Sequence, residues 1–249
     1  MEPLVSAVVP SFRGAGHLGA LFSKLLPILE QLNGELVLVD DCSDDDTWKV
    51  MTKAASENKT VTCVRLDRRS GQQTAVLAGC KVAGGRWIVT LDDDLEHDPV
   101  HIAKLLSRGE EGFDLVYAVP GKHAMPVGFN EYIRRIGSMF FGFAFSVFIG
   151  KPLRLKLTSY RALRAELVRK MLSSHASAVY VSALALRQRP RVDAVTVDPG
   201  GHADSRTSLP RLVTTFIKTV FYYGPVGRLI PQAKVTTLLP IAEIQGARS

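Results

Sequence analysis

Three consecutive aspartates, Asp92, Asp93 and Asp94, close an apolar run and lie within TLDDDLEHDP, Thr90 to Pro99. Carboxylates this crowded repel one another, and a bound cation relieves the conflict by neutralising them. Magnesium or manganese suits such oxygen donors and keeps water and substrate phosphates as its other ligands, so two protein carboxylates suffice. Capping of a following helix accounts for His97-Asp98-Pro99 but not for three aspartates in a row. A second acidic stretch, LVLVDDCSDDDT, ends another apolar run on Asp40 and Asp41. A carboxylate at a strand end accepts hydrogen bonds from a base imide or a ribose hydroxyl, whereas Ser43 and Asp44 to Asp46 fit the start of a helix.

The elements that must position these groups are short. Leu4–Val9, Glu35–Val39, Val61–Leu66, Trp87–Leu91 and Leu115–Val119 read as strands, with amphipathic helices between them. Strand–helix–strand order with runs apolar on both sides predicts an α/β fold with a mostly parallel, Rossmann-like sheet flanked by helices. Ligands of such sheets collect at the carboxyl ends of the strands. Pro10-Ser11-Phe12-Arg13, Asp40-Asp41, Arg68-Arg69-Ser70-Gly71 and Asp92-Asp93-Asp94 all fall there. Past residue 120 the pattern turns to a Gly/Pro-punctuated loop, an aromatic-rich segment at 136–150, helices near 162–172 and 176–187, a strand at Val192–Val197 and a helix from Leu209 to Tyr223. The prolines at 225, 231 and 240 predict an irregular tail from Gly224. The expected organisation is a ligand-binding half at 1–119, a second, largely helical half at 120–223, and the tail at 224–249.

The order VVPSF, VDDCSDDDT and GQQTAVLAGCKVAGGRWIVTLDDDLEHDP resembles the family 2 glycosyltransferases of the GT-A fold, and within them the dolichyl- and polyprenyl-phosphate mannose and glucose transferases. Their pattern runs Pro-x-Tyr-Asn-Glu, Asp-Asp-Gly-Ser-x-Asp and Asp-x-Asp-Leu-Gln-His-x-Pro. The resemblance implies an inverting, metal-dependent transfer of one sugar from a nucleotide-sugar of UDP or GDP type, with Mg2+ or Mn2+ as cofactor. By that resemblance Pro10 and Phe12 line the base, Asp40 or Asp41 contacts base or ribose, and Gln72, Ala75 and Gly79 flank the donor. Asp92 then faces ribose and metal, and Asp94 is the principal metal ligand, with Asp93 a spacer turned aside. LTSYRALRAELV is similar to the pattern Ser-Gly-Phe-Arg-Leu-x-x-Arg, which implies Arg161 and Arg164 near donor or acceptor phosphates. HADSRTSLPRL is similar to Gly-Arg-Thr-Ser-Tyr-Ser-Leu, which implies a phosphate clamp by Arg206 and Ser208. The chain departs from the pattern at Arg13-Gly14, in place of Asn-Glu, and at Cys42 and Glu96, in place of Gly and Gln.

Charge points to the acceptor independently. Residues 1–119 hold 12 Lys and Arg against 18 Asp and Glu, and residues 120–249 hold 19 against 6, so a −6 half precedes a +13 half. A basic region short of carboxylates suits an acceptor that is itself anionic, such as a polyprenyl phosphate at a membrane surface, because a phosphate monoester needs no general base. A sugar hydroxyl acceptor is the alternative. No recognition-helix, zinc-finger or ribonucleoprotein pattern supports nucleic acid. The three cysteines, without CxxC spacing, read as reduced thiols, and Met1–Val9 does not read as a signal peptide, so the expected location is cytoplasmic, peripheral at the inner face of the membrane. Segment 136–150 falls short of a span and fits either an interfacial helix or a core helix. Gly14-Ala15-Gly16-His17-Leu18-Gly19 formally matches a dinucleotide-binding GxGxxG, but Pro10 to Arg13 separate it from the strand that it should close directly.

Overall fold

The computed structural model describes residues 3–121, 155–198, 221–222 and 230–246. Arg206, Ser208, segment 136–150 and nearly all of the helix expected at 209–223 lie outside the described residues. Apolar β-rich runs form an eight-stranded sheet in the order β10-β3-β2-β1-β4-β6-β5-β8. Its strands are β1 (Val5–Ser11), β2 (Gly34–Asp40), β3 (Val61–Leu66), β4 (Trp87–Thr90), β5 (Leu115–Pro120), β6 (Arg161–Arg164), β8 (Val192–Val197) and β10 (Ile241–Gly246), with β7 (His175–Ala176) and β9 (Ala233–Lys234) paired separately. Strands β3, β2, β1 and β4 are parallel neighbours and β5 is parallel to β8, while β6 and β10 run against their partners.

Alternation along each strand divides the core between the two faces of the sheet. Ala7, Val9, Leu36, Leu38 and Val89 pack against α1 (Leu18–Gln31), α2 (Thr47–Glu57) and α4 (Ile102–Glu110). Val8, Val37, Val39, Ile88 and Tyr117 face α3 (Gln72–Val82), α5 (Ala165–Ser173) and α6 (Val181–Arg187). Gly79 lets α3 lie close: a Cβ there would come 2.5 Å from Val8 Cγ1 and 2.8 Å from Val39 Cγ2. At the amino end of the sheet, Glu35 is 7% exposed and accepts from Ser6 Oγ at 2.6 Å and Gly84 N at 2.7 Å, tying β1, β2 and the α3–β4 turn together.

Two expectations are corrected. The helix expected near 162–172 begins only at Ala165, because Arg161–Arg164 inserts as β6 between β4 and β5, a pairing on both sides that outweighs local helix propensity. The tail is not irregular over its described residues, 230–246. Ile241–Gly246 covers the edge of β3 as an antiparallel strand, and the Pro240 carbonyl accepts from Asp67 N at 2.8 Å. Proline bars a long helix here but is tolerated at the start of an edge strand.

Candidate active site

Parallel register brings the carboxyl ends of β1, β2, β3 and β4 to one rim of the sheet: Ser11 lies opposite Asp40, Asp40 opposite Arg65, and Val8 opposite Thr90. Each loop leaving that rim is fastened to its neighbour. Arg13 N donates to Ser43 Oγ at 3.0 Å, Gly14 N to Thr47 Oγ1 at 2.8 Å, and the Arg13 guanidinium makes a two-pronged pair with Asp44. Asp45, rather than Ser43 or Asp44, supports the start of α2, accepting from Thr47 N at 3.1 Å.

Asp40 and Asp41 brace this rim from inside. Asp40 is fully buried, accepts from Ser43 N at 2.9 Å, and has Arg65 Nε 3.2 Å from its other oxygen, off the hydrogen-bonding direction. Asp41 is 4% exposed, and its two oxygens accept from Ser70 N and Gly71 N at 2.7 and 2.8 Å. Gly71 begins α3 at φ +86°, a conformation that favours glycine. Cys42 holds φ +59°, the physical reason that glycine suits its place in the Asp-Asp-Gly-Ser pattern. Pro10 is buried in β1, whereas Phe12 is half-buried beyond it, with the Arg69 guanidinium 3.9 Å from its ring centroid.

The acidic loop after β4 is held more tightly than its charge alone suggests. Asp92 accepts from Gln72 Nε2 through one oxygen and from Ser159 Oγ, at 2.7 Å, through the other. Ser159 is in turn fixed by its carbonyl, which accepts from Thr90 Oγ1 at 2.5 Å. Burial raises the pKa of Asp92. The Ser159 hydrogen bond and His97 oppose the shift, and the neighbouring Asp94 and Asp93 add to it. Asp94 is exposed, and its Oδ1 accepts from Glu96 N at 3.0 Å. Asp98 caps the 3-10 turn Pro99–His101 through Val100 N, as its position before proline suggests.

Ser159 is a site residue that the sequence reading passed over. Its signal was its position in TSYR, where the resembling pattern has glycine and so has no hydroxyl to offer. Arg161 is brought to the same strand end but points away from solvent: it is 3% exposed, donates to Ser182 Oγ at 2.6 Å beneath α6, and leaves Nε without a partner. Arg164 stacks 4.5 Å over Trp87 and bonds to the Gly109 carbonyl, in the amino half of the sheet. Among the described residues no three His, Cys, Asp or Glu side chains converge as a complete metal shell. Asp92 and Asp94 together offer hard oxygen donors, and Asp92 is a half-buried carboxylate whose charge a cation would stabilise, so the pair fits a divalent ion that draws its remaining ligands from phosphate and water.

The glycosyl transferase family 2 model matches residues 6–172, which include every element that builds this rim. The chain belongs to glycosyl transferase family 2. Among curated family members, an undecaprenyl-phosphate 4-deoxy-4-formamido-L-arabinose transferase of Yersinia enterocolitica is 30% identical over 214 residues, 84% of this chain and 64% of that protein. The enzyme of the same name from Serratia proteamaculans is 29% identical over 220 residues, 86% of this chain and 66% of that one. The chain thus spans just under two thirds of the length of these relatives. Glucosyl-3-phosphoglycerate synthase of Mycobacterium tuberculosis, crystallised with Mn2+, UDP and glucosyl-3-phosphoglycerate, superposes with a TM-score of 0.64 at 18% identity, covering 88% of this chain and 79% of that one. The shared fold is the GT-A architecture.

Proposed function

We propose that this family 2 chain is an inverting, metal-dependent glycosyltransferase that moves a single sugar from a nucleotide-sugar to a polyprenyl phosphate at a membrane surface. The observation that carries the proposal is the arrangement of Asp92, half-buried just past the carboxyl end of β4 and held by Gln72 and Ser159, with exposed Asp94 two residues on. Asp92 and Asp94 would hold Mg2+ or Mn2+. Such an ion, when bound, screens the donor diphosphate and stabilises the charge that builds on it as it leaves. A UDP-type donor is supported by the mycobacterial synthase, and an undecaprenyl-phosphate acceptor by the names of the enterobacterial relatives.

In this reaction an acceptor phosphate oxygen bonds to the anomeric carbon as the bond from that carbon to the diphosphate breaks, and nucleoside diphosphate departs with inversion. The acceptor is already anionic, so no side chain need remove a proton from it. Phe12, with Arg69, forms the platform beside which the base sits. Asp40 and Asp41 act through the loops that they brace, and Arg161 acts by setting the β6 strand that presents Ser159. The +13 region beyond residue 119 supplies the field that favours an anionic lipid surface. Among the described residues no helix is long and apolar enough to cross a membrane, and the proposed contact is peripheral, at the inner face. The decisive experiment measures thermal protection and sugar transfer across UDP- and GDP-sugars with Mg2+ or Mn2+, offering undecaprenyl phosphate as acceptor. Transfer to undecaprenyl phosphate is the expected result, and transfer only to sugar hydroxyls would overturn the acceptor assignment.

A further inference from the structure

Asp93 does not merely separate its neighbours. Its Oδ2 accepts a short hydrogen bond from Ser11 Oγ and lies 3.1 Å from His17 Nε2, and its side chain is only 19% exposed. Ser11 ends β1 and His17 immediately precedes α1, so this contact joins the acidic loop to the loop that carries Phe12. The amino end of α1 adds a favourable field for a carboxylate there. Position 14 makes the contact sterically possible. A Cβ on Gly14 would come 2.1 Å from Ser11 Oγ and 2.8 Å from Asp93 Oδ2. Gly14 has no left-handed φ, so crowding rather than backbone strain excludes a side chain. The glycine at 14, where the resembling pattern has glutamate, and the aspartate at the unspecified position between the two ligand candidates therefore meet at one point in space.

We propose that Asp93 is a positioning residue: held by Ser11 and His17 in the space left by Gly14, it latches the acidic loop to the β1 rim and fixes where Asp92 and Asp94 present their oxygens. The proposal rests on the metal-dependent transfer described above. Asp92 is tied to α3 and to Ser159, Asp93 is tied to β1 and α1, and the loop is thereby held from both sides. Supports of this kind around a metal ligand are worth about 10- to 100-fold in metal affinity.

The test uses the full chain and its variants D93A, D93N, S11A, G14A and D93A/G14A. Mn2+ affinity in the presence of UDP is read from the EPR signal of free Mn2+, and hydrogen exchange of amides 91–98 is followed without metal. D93A is expected to weaken Mn2+ binding about tenfold and to speed exchange in that loop. S11A should act in the same direction, and D93N, which keeps an acceptor for Ser11, should fall between D93A and wild type. G14A should reproduce D93A although residue 14 is no metal ligand, and D93A/G14A should be no worse than D93A alone, because both remove one latch. Mn2+ affinity within twofold of wild type in D93A and S11A, with only the Tm lowered, would overturn the positioning role. So would additive effects of G14A and D93A. Failure of the wild-type chain to bind Mn2+ with any nucleotide would instead sink the transferase reading and the latch with it, an outcome distinct from wild-type binding that D93A leaves intact.

Discussion

Asp94 carries the sharpest residue-scale prediction. Asp94→Asn removes the charge of a proposed metal ligand from an exposed position that supports no other element, so transfer should fall by at least about 100-fold, or about 2.7 kcal/mol of barrier, while Tm stays within about 2 °C of wild type. Retained turnover, measured with the donor that protects the protein, would remove Asp94 from the metal. Asp92 predicts a pH effect. Its folded pKa is raised above the ordinary 3.8 by burial, so its contribution to stability of the metal-free protein is present in acid and lost as pH rises through the raised value. Metal binds the deprotonated form, and the Tm increment produced by Mn2+ should therefore shrink as pH is lowered towards that range. An increment independent of pH, followed by differential scanning fluorimetry, would contradict this. The thiols separate by environment: burial pushes Cys63 and Cys80 up to about 12, while Cys42 is partly exposed on the rim of the candidate site. Native protein should react with iodoacetamide at Cys42 alone, and UDP with Mn2+ should slow that reaction.

Element-scale behaviour is set by contacts between strands and their loops. Glu35 joins β1, β2 and the turn before β4, and Glu35→Ala would strand the Ser6 hydroxyl and the Gly84 amide in a buried place. Each unsatisfied group costs about 1–3 kcal/mol, so a loss of about 2–6 kcal/mol is expected as a lower denaturant midpoint with unchanged slope. Glu35→Gln, which keeps an acceptor oxygen, should lose less. Gly79→Val tests the approach of α3 to the sheet; added volume against Val8 and Val39 should cost about 1–3 kcal/mol or more and loosen Gln72, the α3 residue that reaches Asp92.

At the scale of the whole molecule, charge is arranged along the chain rather than spread evenly. The acidic half builds the candidate metal rim, and the basic half meets the proposed lipid surface. Binding to vesicles containing anionic lipid should accordingly weaken as NaCl is raised, because the Debye length falls from about 10 Å at 0.1 M to about 3 Å at 1 M. Sedimentation with vesicles of graded anionic content measures this, and binding insensitive to salt would point to insertion of apolar segments instead.

The sequence by itself determined the α/β class, the six strands at 4–9, 35–39, 61–66, 87–91, 115–119 and 192–197 to within two residues, and the gathering of Phe12, Asp40, Asp41, Asp92 and Asp94 at one rim. These follow from local apolar periodicity and from the rule that parallel strands deliver their carboxyl ends to one side. Tertiary structure alone decided what those side chains touch. Arg161–Arg164 has no strand signal strong enough to override a helical reading until β4 and β5 flank it, and Ile241–Gly246 becomes a strand because β3 offers an open edge. In the same way, three adjacent aspartates look equivalent in one dimension. Only in three dimensions does Ser159 claim Asp92, do Ser11 and His17 claim Asp93, and does Asp94 remain exposed, because each partner comes from a segment distant in sequence and is brought near by the sheet.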